Sequence, residues 1–122
     1  MVLMQDDNLA QFQIQAYAEG SIVVNGQKYT KSLIISPNQL ITDWPVTDIR
    51  QITTEQLTAL WVEGDEIILL GTGPKSVILS DEILAPLLEK HYNVECMNTG
   101  AACRTYTALS AEGRKVVAGL II

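Results

Sequence analysis

The sequence has few of the residues that most metal and catalytic sites require. Its 122 residues include one histidine and two cysteines. A structural zinc site takes four ligands, so His91, Cys96 and Cys103 cannot complete one without several carboxylates. We therefore expect no metal site, and nothing in the sequence indicates a cofactor. Two cysteines are also too few for a disulfide framework, and we expect both to be free thiols.

Positive charge is scarce and scattered. Eight lysines and arginines stand against 14 acidic residues, which gives a net charge of -6. Nucleic-acid binding depends on clustered cations that neutralise phosphates. The composition therefore argues against a nucleic-acid partner.

Long apolar runs are missing as well. The longest, "VVAGLII" at 116–122, is too short to cross a bilayer, which takes about 20 apolar residues. The opening "MVLMQDDNLAQ" has neither the positive region nor the apolar region of a secretory signal. We therefore expect a soluble, cytoplasmic protein without a transmembrane segment.

The composition is that of a folded chain. Hydrophobic residues make up 48% and charged residues 18%, far from the composition of disordered proteins. A chain of this length forms one hydrophobic core. We expect a single domain over residues 1–122.

The first third of the sequence predicts antiparallel β-structure. Residues 12–18, "FQIQAYA", alternate in polarity, with Phe12, Ile14 and Ala16 on one face of a strand. The next strand ends at Asn25-Gly26, a pair that suits a two-residue type I′ turn. Residues 36–48 contain two prolines and predict a connection with at most a short edge strand.

A short helix is predicted after this connection, because Thr53 and Gln56 have the spacing of a capping box. The apolar face of this helix would contain Leu57, Leu60 and Trp61, and Gly64 would end the helix.

The second half predicts strands and helices in alternation. "IILLG" at 67–71 is continuously apolar, as are strands covered on both faces. Residues 80–92 predict a helix with Ser80 as its cap. Pro86 conflicts with this helix and predicts a kink or a start near Ala85. The buried face of the helix would contain Ile83, Leu84, Leu87 and Leu88.

A strand at 94–98, a helix at 99–112 and a final strand at 115–122 complete the pattern. Alternation of this kind is typical of right-handed parallel crossovers. The predicted fold is mixed α/β, with an antiparallel front half and a parallel β-α-β-α-β back half.

Two cysteines and an arginine lie in "CMNTGAACRTY" at 96–106. The cysteine phosphatase loop needs five residues between thiolate and arginine, whereas seven separate Cys96 from Arg104. Cys103 lies near a predicted helix start and beside Arg104, and both features lower the pKa of a thiol. Cys103 is thus either a reactive thiol or a small packing residue.

Two glycine-containing loops follow the carboxyl ends of predicted neighbouring strands. The first is Gly71-Thr72-Gly73 and the second Asn98-Thr99-Gly100. Crevices at this edge of α/β sheets bind ligands, and backbone N–H groups at a helix start bind anions. The loops therefore either form a pocket for an anion or polar ligand, or only permit tight turns.

The helical wheel of residues 99–112 separates a packing face from the rest. Its predicted face toward the sheet contains Ala101, Ala102, Thr105, Ala108 and Leu109. Cys103 and Arg104 lie off this face. Arg104 then pairs with an acid, contacts a partner or faces water.

The segments "VECMNTGAACRTYTALSAEGRKVVAGLI" and "IILLGTG" resemble the Mth-domain family of small proteins of unknown function. Relatives in that family include the mitochondrial respiratory complex I assembly factor 3 and the adipogenesis-associated Mth-domain protein. The "SLIISP" and "DWP" segments extend the resemblance to the front half.

The resemblance implies a three-layer β+β/α fold, no established enzymatic activity and no known cofactor. It also implies assembly work on a membrane respiratory complex through protein contacts. This chain has Asn98 where the family usually has an acid, and Thr107 where it usually has asparagine. A general base resting on that acid is therefore not expected here.

Two functions remain open at this point. The first is a non-catalytic interaction or assembly factor, with an unidentified protein partner bound through an exposed surface at Trp44, the 43–48 loop and Arg104. The second is a small-ligand or anion-binding protein, or a thiol enzyme, with its pocket at the two loops. Its residues would be Gly71, Thr72, Gly73, Asn98, Thr99, Gly100, Cys103 and Arg104.

Overall fold

The computed structural model describes residues 10–60, 67–90 and 92–122. The predictions for Trp61, Gly64 and His91 lie outside these residues. The elements are β1 (Ile14–Ala18), β2 (Ser21–Val24), β3 (Gln27–Tyr29), β4 (Leu33–Ser36), β5 (Gln39–Ile41), a 3-10 helix (Ile49–Gln51), α1 (Thr54–Thr58), β6 (Ile67–Gly71), α2 (Asp81–Leu88), β7 (Asn93–Met97), α3 (Thr99–Ala111) and β8 (Val116–Leu120).

The first three strands form an antiparallel sheet of their own, in the order β1-β2-β3. Asn25 and Gly26 connect β2 to β3, with φ angles of 49° and 84°. A type I′ turn requires positive φ at both central residues. The predicted hairpin is confirmed.

The predicted inward face of β1 is wrong at one residue. Ile14 pairs with Val24 and Ala16 with Val23, so the register shifts between them. This shift leaves Gln15 as the extra residue of a β-bulge and reverses the alternation beyond it. Tyr17 therefore packs inward together with Phe12 and Ile14, while Ala16 is exposed.

The other five strands form a second sheet in the order β5-β4-β8-β6-β7. β6 is parallel to both β7 and β8, whereas β4 is antiparallel to β8 and β5. β5 is the short edge strand that the proline-containing segment predicted. The mixed fold, with an antiparallel front half and parallel crossovers behind it, is confirmed.

Two apolar clusters cover the two faces of the five-stranded sheet. On one face, Ile68, Leu70 and Val117 belong to the cluster that includes α1 and α2 residues. On the other face, Leu69 and Ala118 belong to the cluster that includes α3 and the three-stranded sheet. The continuously apolar β6 is therefore covered on both faces, as predicted.

Side-chain caps fix where the helices begin. The Thr53 hydroxyl accepts from the Gln56 amide, and the Gln56 side chain accepts from the Thr53 amide, so the predicted capping box is present. The Ser80 hydroxyl caps α2 by accepting from the Ile83 amide, without a returning bond. α2 thus begins at Asp81 rather than near Ala85 and contains Pro86.

The predicted buried face of α2 is half correct. Leu84 and Leu87 are buried, but Ile83 is 43% exposed and Leu88 is 38% exposed. A helix on one face of a sheet buries only a narrow stripe, and residues 84 and 87, one turn apart, lie at its centre.

Trp44 is buried, which contradicts its predicted place on an exposed surface. Its side chain is 4% exposed, and its indole Nε1 donates a 3.1 Å hydrogen bond to the Gln56 carbonyl. The indole and Leu60 lie over Gly119 of β8, where a side chain would meet both. The missing side chain at residue 119 makes room for the ring in the core.

Candidate functional site

The two predicted loops lie together at the carboxyl ends of β6 and β7. The Thr72 amide donates to the Met97 carbonyl, and the Thr99 amide donates to the Gly73 carbonyl, each at 2.8 Å. The prediction that these loops are neighbours in a parallel sheet is confirmed.

The Thr99 hydroxyl joins both loops to Ile121, the residue that follows β8. It accepts a 2.8 Å bond from the Gly73 amide and donates a 2.6 Å bond to the Ile121 carbonyl. Thr99 is completely buried. Gly71 leaves room for it, since a Cβ at residue 71 would lie 3.1 Å from Thr99 Cα.

These bonds use the donors that an anion site would need. The amides of Thr72, Gly73 and Thr99 donate within the chain, and the Asn98 side chain caps α3 by accepting from the Ala101 amide. A ligand between the loops would have to compete with these bonds, and the pocket predicted there stays a prediction. The two loops are thus bonded to each other at the end of the sheet.

The buried face of α3 differs from the predicted one. Cys103 is 3% exposed and Tyr106 is completely buried, whereas Ala108 is exposed. The helical-wheel prediction took the five-stranded sheet as the one surface that α3 packs against. The strand β1 packs on a second side of α3, so the buried stripe is wider and is rotated toward residues 103 and 106.

Burial sets the chemistry of Cys103. Loss of hydration raises the pKa of its thiol to about 12, although the neighbouring Arg104 acts in the opposite direction. The prediction of a lowered pKa is wrong, because the cost of a buried thiolate exceeds the attraction of the guanidinium. Cys103 is a packing residue that stays protonated at neutral pH. Both cysteines are free, as predicted.

An open groove of about 530 Å³ lies between β1 and α3. One wall is the strand segment from Ile14 to Tyr17. The other wall is a stripe of α3. The helix residues that line the groove are Gly100, Cys103, Arg104, Thr107 and Ala108. Three of the predicted ligand residues, Gly100, Cys103 and Arg104, thus do line one surface, though it is not the predicted one.

Arg104 supplies the positive charge of this groove. Its side chain is exposed, and its Nη1 atom is 3.5 Å from the place of a Cβ at Gly100. Among the residues described by the structure, no acid forms an ion pair with it. The guanidinium is therefore available to an anionic group that enters the groove.

Two tyrosines of this region were missed by sequence reasoning. Tyr17 forms part of the groove wall, and burial raises the pKa of its hydroxyl, with smaller effects of Cys103 and Glu19. Tyr106 donates a 2.7 Å bond to the Phe12 carbonyl, and burial raises the pKa of its hydroxyl as well. The large aromatic at residue 106 was the signal that could have placed the buried face of α3 correctly.

Metal ligands do not cluster in the part of the chain that the structure describes. There, no group of three histidine, cysteine, aspartate or glutamate residues could hold an ion. In the same residues, no helix combines the length and the apolar character that crossing a membrane requires.

Fold and groove together define a small three-layer α/β domain with an open groove that contains one charged side chain. The chain belongs to the family described as "Protein of unknown function (DUF498/DUF598)", whose model matches residues 14–121. A solved structure from Bordetella pertussis, described as a Mth938-like domain, has a TM-score of 0.80 and 31% identity, with 99% of this chain and 92% of that chain covered. Membership of the Mth-domain family is confirmed.

Two relatives carry more specific names. The "13 kDa major membrane protein" of Francisella tularensis is 30% identical over 117 residues, which cover 95% of each chain. The "NADH dehydrogenase (ubiquinone) 1 alpha subcomplex assembly factor 3" of Bos taurus is 30% identical over 122 residues. The match covers 98% of this chain and 65% of that relative.

Proposed function

We propose that the protein is a non-catalytic interaction or assembly factor whose partner contacts the groove between β1 and α3. The observation that carries this proposal is the exposed guanidinium of Arg104, which stands in an open groove without an acid to neutralise it in the described residues. A cation in such a position favours an anionic group on the partner.

The state of Cys103 argues against a thiol enzyme. A nucleophilic cysteine needs a lowered pKa and access to solvent. Cys103 has neither, because it is 3% exposed and the pKa of its thiol is raised to about 12. The loop amides that could stabilise an oxyanion are also engaged within the chain.

The names of the relatives agree with an assembly role. One relative is an assembly factor for NADH dehydrogenase and another is a membrane protein by name. This chain spans 65% of the assembly factor's length, so the role is proposed for the shared part. The cytoplasmic location stays a prediction, and association with a membrane complex fits both names.

Capture of partners by matched variants tests the proposal. Wild-type protein, Arg104→Glu and Arg50→Glu would each be cross-linked in extracts of the source cells, and recovered proteins identified by mass spectrometry. Arg50 is exposed in the 3-10 helix, away from the groove, and so controls for the charge change. We expect a protein that wild type and Arg50→Glu recover and Arg104→Glu loses. Equal recovery by all three would contradict a partner site in this groove.

Binding of a small anion is the second candidate, since the same guanidinium would attract one. Phosphate, nucleotides and carboxylate metabolites would then raise the melting temperature of the wild type and not of Arg104→Glu. If none of these compounds raises the melting temperature of the wild type, this candidate is excluded.

A further inference from the structure

The groove follows the open edge of a strand. β1 stands at the end of the order β1-β2-β3, so β2 is its one paired strand among residues 10–60, 67–90 and 92–122. Four successive residues of β1, Ile14 to Tyr17, line the groove. Side chains alternate between the faces of a strand, so Ala16 and Tyr17, which follow each other beyond the bulge, both line a groove that runs along the strand edge.

Within the part of the chain that the structure describes, the backbone at this edge includes unpaired groups. Ala18 and Ser21 pair on either side of the two-residue connection Glu19-Gly20, and such a flanking pair is the hydrogen-bonded one. In the next pair, Tyr17 and Ile22, the N–H and C=O groups point away from the partner strand. Those of Tyr17 therefore point toward the groove. The bulge at Gln15 ends this regular edge after a few residues.

The groove has the length of a short extended segment. On the helix side, Gly100 to Ala108 spans about 12 Å at 1.5 Å per residue. On the strand side, Ile14 to Tyr17 spans about 10 Å at 3.3 Å per residue. An extended chain of about four residues has this length. Thr107 and Ala108 are exposed and small, and they leave space for its backbone beside the helix.

The charge of the groove selects the chemistry of the occupant. The chain as a whole carries a net charge of -6 and repels acidic partners in general. Arg104 is the cation among the groove residues, and a guanidinium binds a carboxylate through two parallel hydrogen bonds. An acidic segment is therefore attracted to this groove in particular.

We infer that the groove binds an extended acidic segment of a partner protein, about four residues long, which adds to the edge of β1 and places a carboxylate on Arg104. This inference rests on the proposed function and names the part of the partner that is recognised. The bonds to the β1 backbone supply affinity that does not depend on sequence, and Arg104 supplies the selection for an acid.

Selection from a phage-displayed library of random linear heptapeptides tests the inference. We expect peptides that contain aspartate or glutamate and that shift the backbone NMR signals of residues 14–18 and 100–108 of the protein. Replacing the acid of a selected peptide by its amide should weaken binding about tenfold, as should Arg104→Gln, because each removes a charge-assisted pair. Arg50→Gln should bind like wild type.

The backbone bonds have their own test on the peptide, where folding of the protein is not at risk. N-methylation of successive peptide amides should abolish binding at every second residue, because alternate amides of an added strand face β1. Tolerance of N-methyl groups at all residues would overturn strand addition.

Three other results would also overturn the inference. The library could yield no enriched binders, or binders that contain no acid. The backbone NMR signals of residues 14–18 and 100–108 could also shift with protein concentration in the absence of peptide, which would show that a second copy of the chain occupies the groove. A captured partner could depend on Arg104 for binding and yet not be displaced by the selected peptides. That result would agree with the proposed function and would contradict this inference alone.

Discussion

The ring of Tyr17 lies against Gly100. A Cβ atom at residue 100 would lie 3.1 Å from Tyr17 Cε2 and 3.3 Å from Cδ2, so glycine sets the position of the aromatic wall of the groove. This contact joins the three-stranded sheet to the N-terminal turn of α3.

Gly100→Ala should therefore alter the groove more than the stability. Alanine favours the helix by up to about 1 kcal/mol, which offsets the displacement of a half-buried ring by a few tenths of an ångström. We expect the free energy of unfolding to change by less than about 1 kcal/mol. The Tyr17 ring signals should shift, and partner capture should fall. Urea denaturation and NMR measure these effects. A loss well above this bound would show that the Tyr17 ring cannot move.

Gly119→Ala should be strongly destabilising, because the new Cβ would lie 2.6 Å from Leu60 and 2.8 Å from the Trp44 ring. Overpacking of this kind costs about 1–3 kcal/mol. Urea denaturation of Gly119→Ala, Trp44→Phe and the double variant forms a double-mutant cycle. The smaller ring should make room for the methyl group, so the double variant should be more stable than the sum of the single effects allows. Additive effects would show that the indole is not what the methyl group meets.

Cys103 should make the protein less stable at alkaline pH. Its thiol has a pKa raised from 9.0 to about 12 in the folded chain. The contribution of the protonated thiol to folding stability is therefore complete below pH 9, the pKa of the unfolded chain, and is lost as the pH rises from there toward 12. The free energy of unfolding should fall by about 1 kcal/mol between pH 8 and pH 10. In a Cys96→Ser background, alkylation of Cys103 at pH 8 should be slower than that of a free thiol by orders of magnitude.

Cys103→Ala is the control for this pH dependence. It should remove most of the change between pH 8 and pH 10, since the pKa values of the half-buried Tyr17 and the buried Tyr106 are raised. A dependence that persists in Cys103→Ala would assign it to another group.

Thr99→Val should separate the two loops at the end of the sheet. The substitution keeps the shape but leaves the Gly73 amide and the Ile121 carbonyl without their 2.8 Å and 2.6 Å bonds. Unsatisfied buried groups cost about 1–3 kcal/mol each, so a loss of at least about 2 kcal/mol is expected in urea denaturation. Thr99→Ser keeps the hydroxyl and should lose much less. Equal losses in the two variants would show that the methyl group matters more than the bonds.

Local signals predicted much of this fold. The capping box at Thr53, the turn at Asn25-Gly26 and the apolar strand at 67–71 each depend on neighbouring residues. The crossover pattern then placed the loops after β6 and β7 beside each other. In these cases the residues that determine the structure are close in sequence.

The errors share a non-local cause. Trp44 is buried because Gly119 leaves room for it, and these two residues are far apart in the chain. The buried face of α3 depends on β1, which packs on the helix from a second side. The acceptors of the loop amides, on Met97, Thr99 and Gly73, are about 25 residues away from their donors in the chain, and so the sequence pattern did not show these bonds. The groove could not be predicted, since it forms only where β1 and α3 meet.

The position of β8 has a consequence for how the chain acquires its structure during synthesis. β8 lies between β4 and β6 in the five-stranded sheet, yet it is translated after the other four strands. Until residues 116–120 leave the ribosome, β4 and β6 have no strand to join them, and the backbone groups along their facing edges remain unpaired. The nascent chain therefore needs protection from aggregation up to that moment, and closure of the sheet is a single late event.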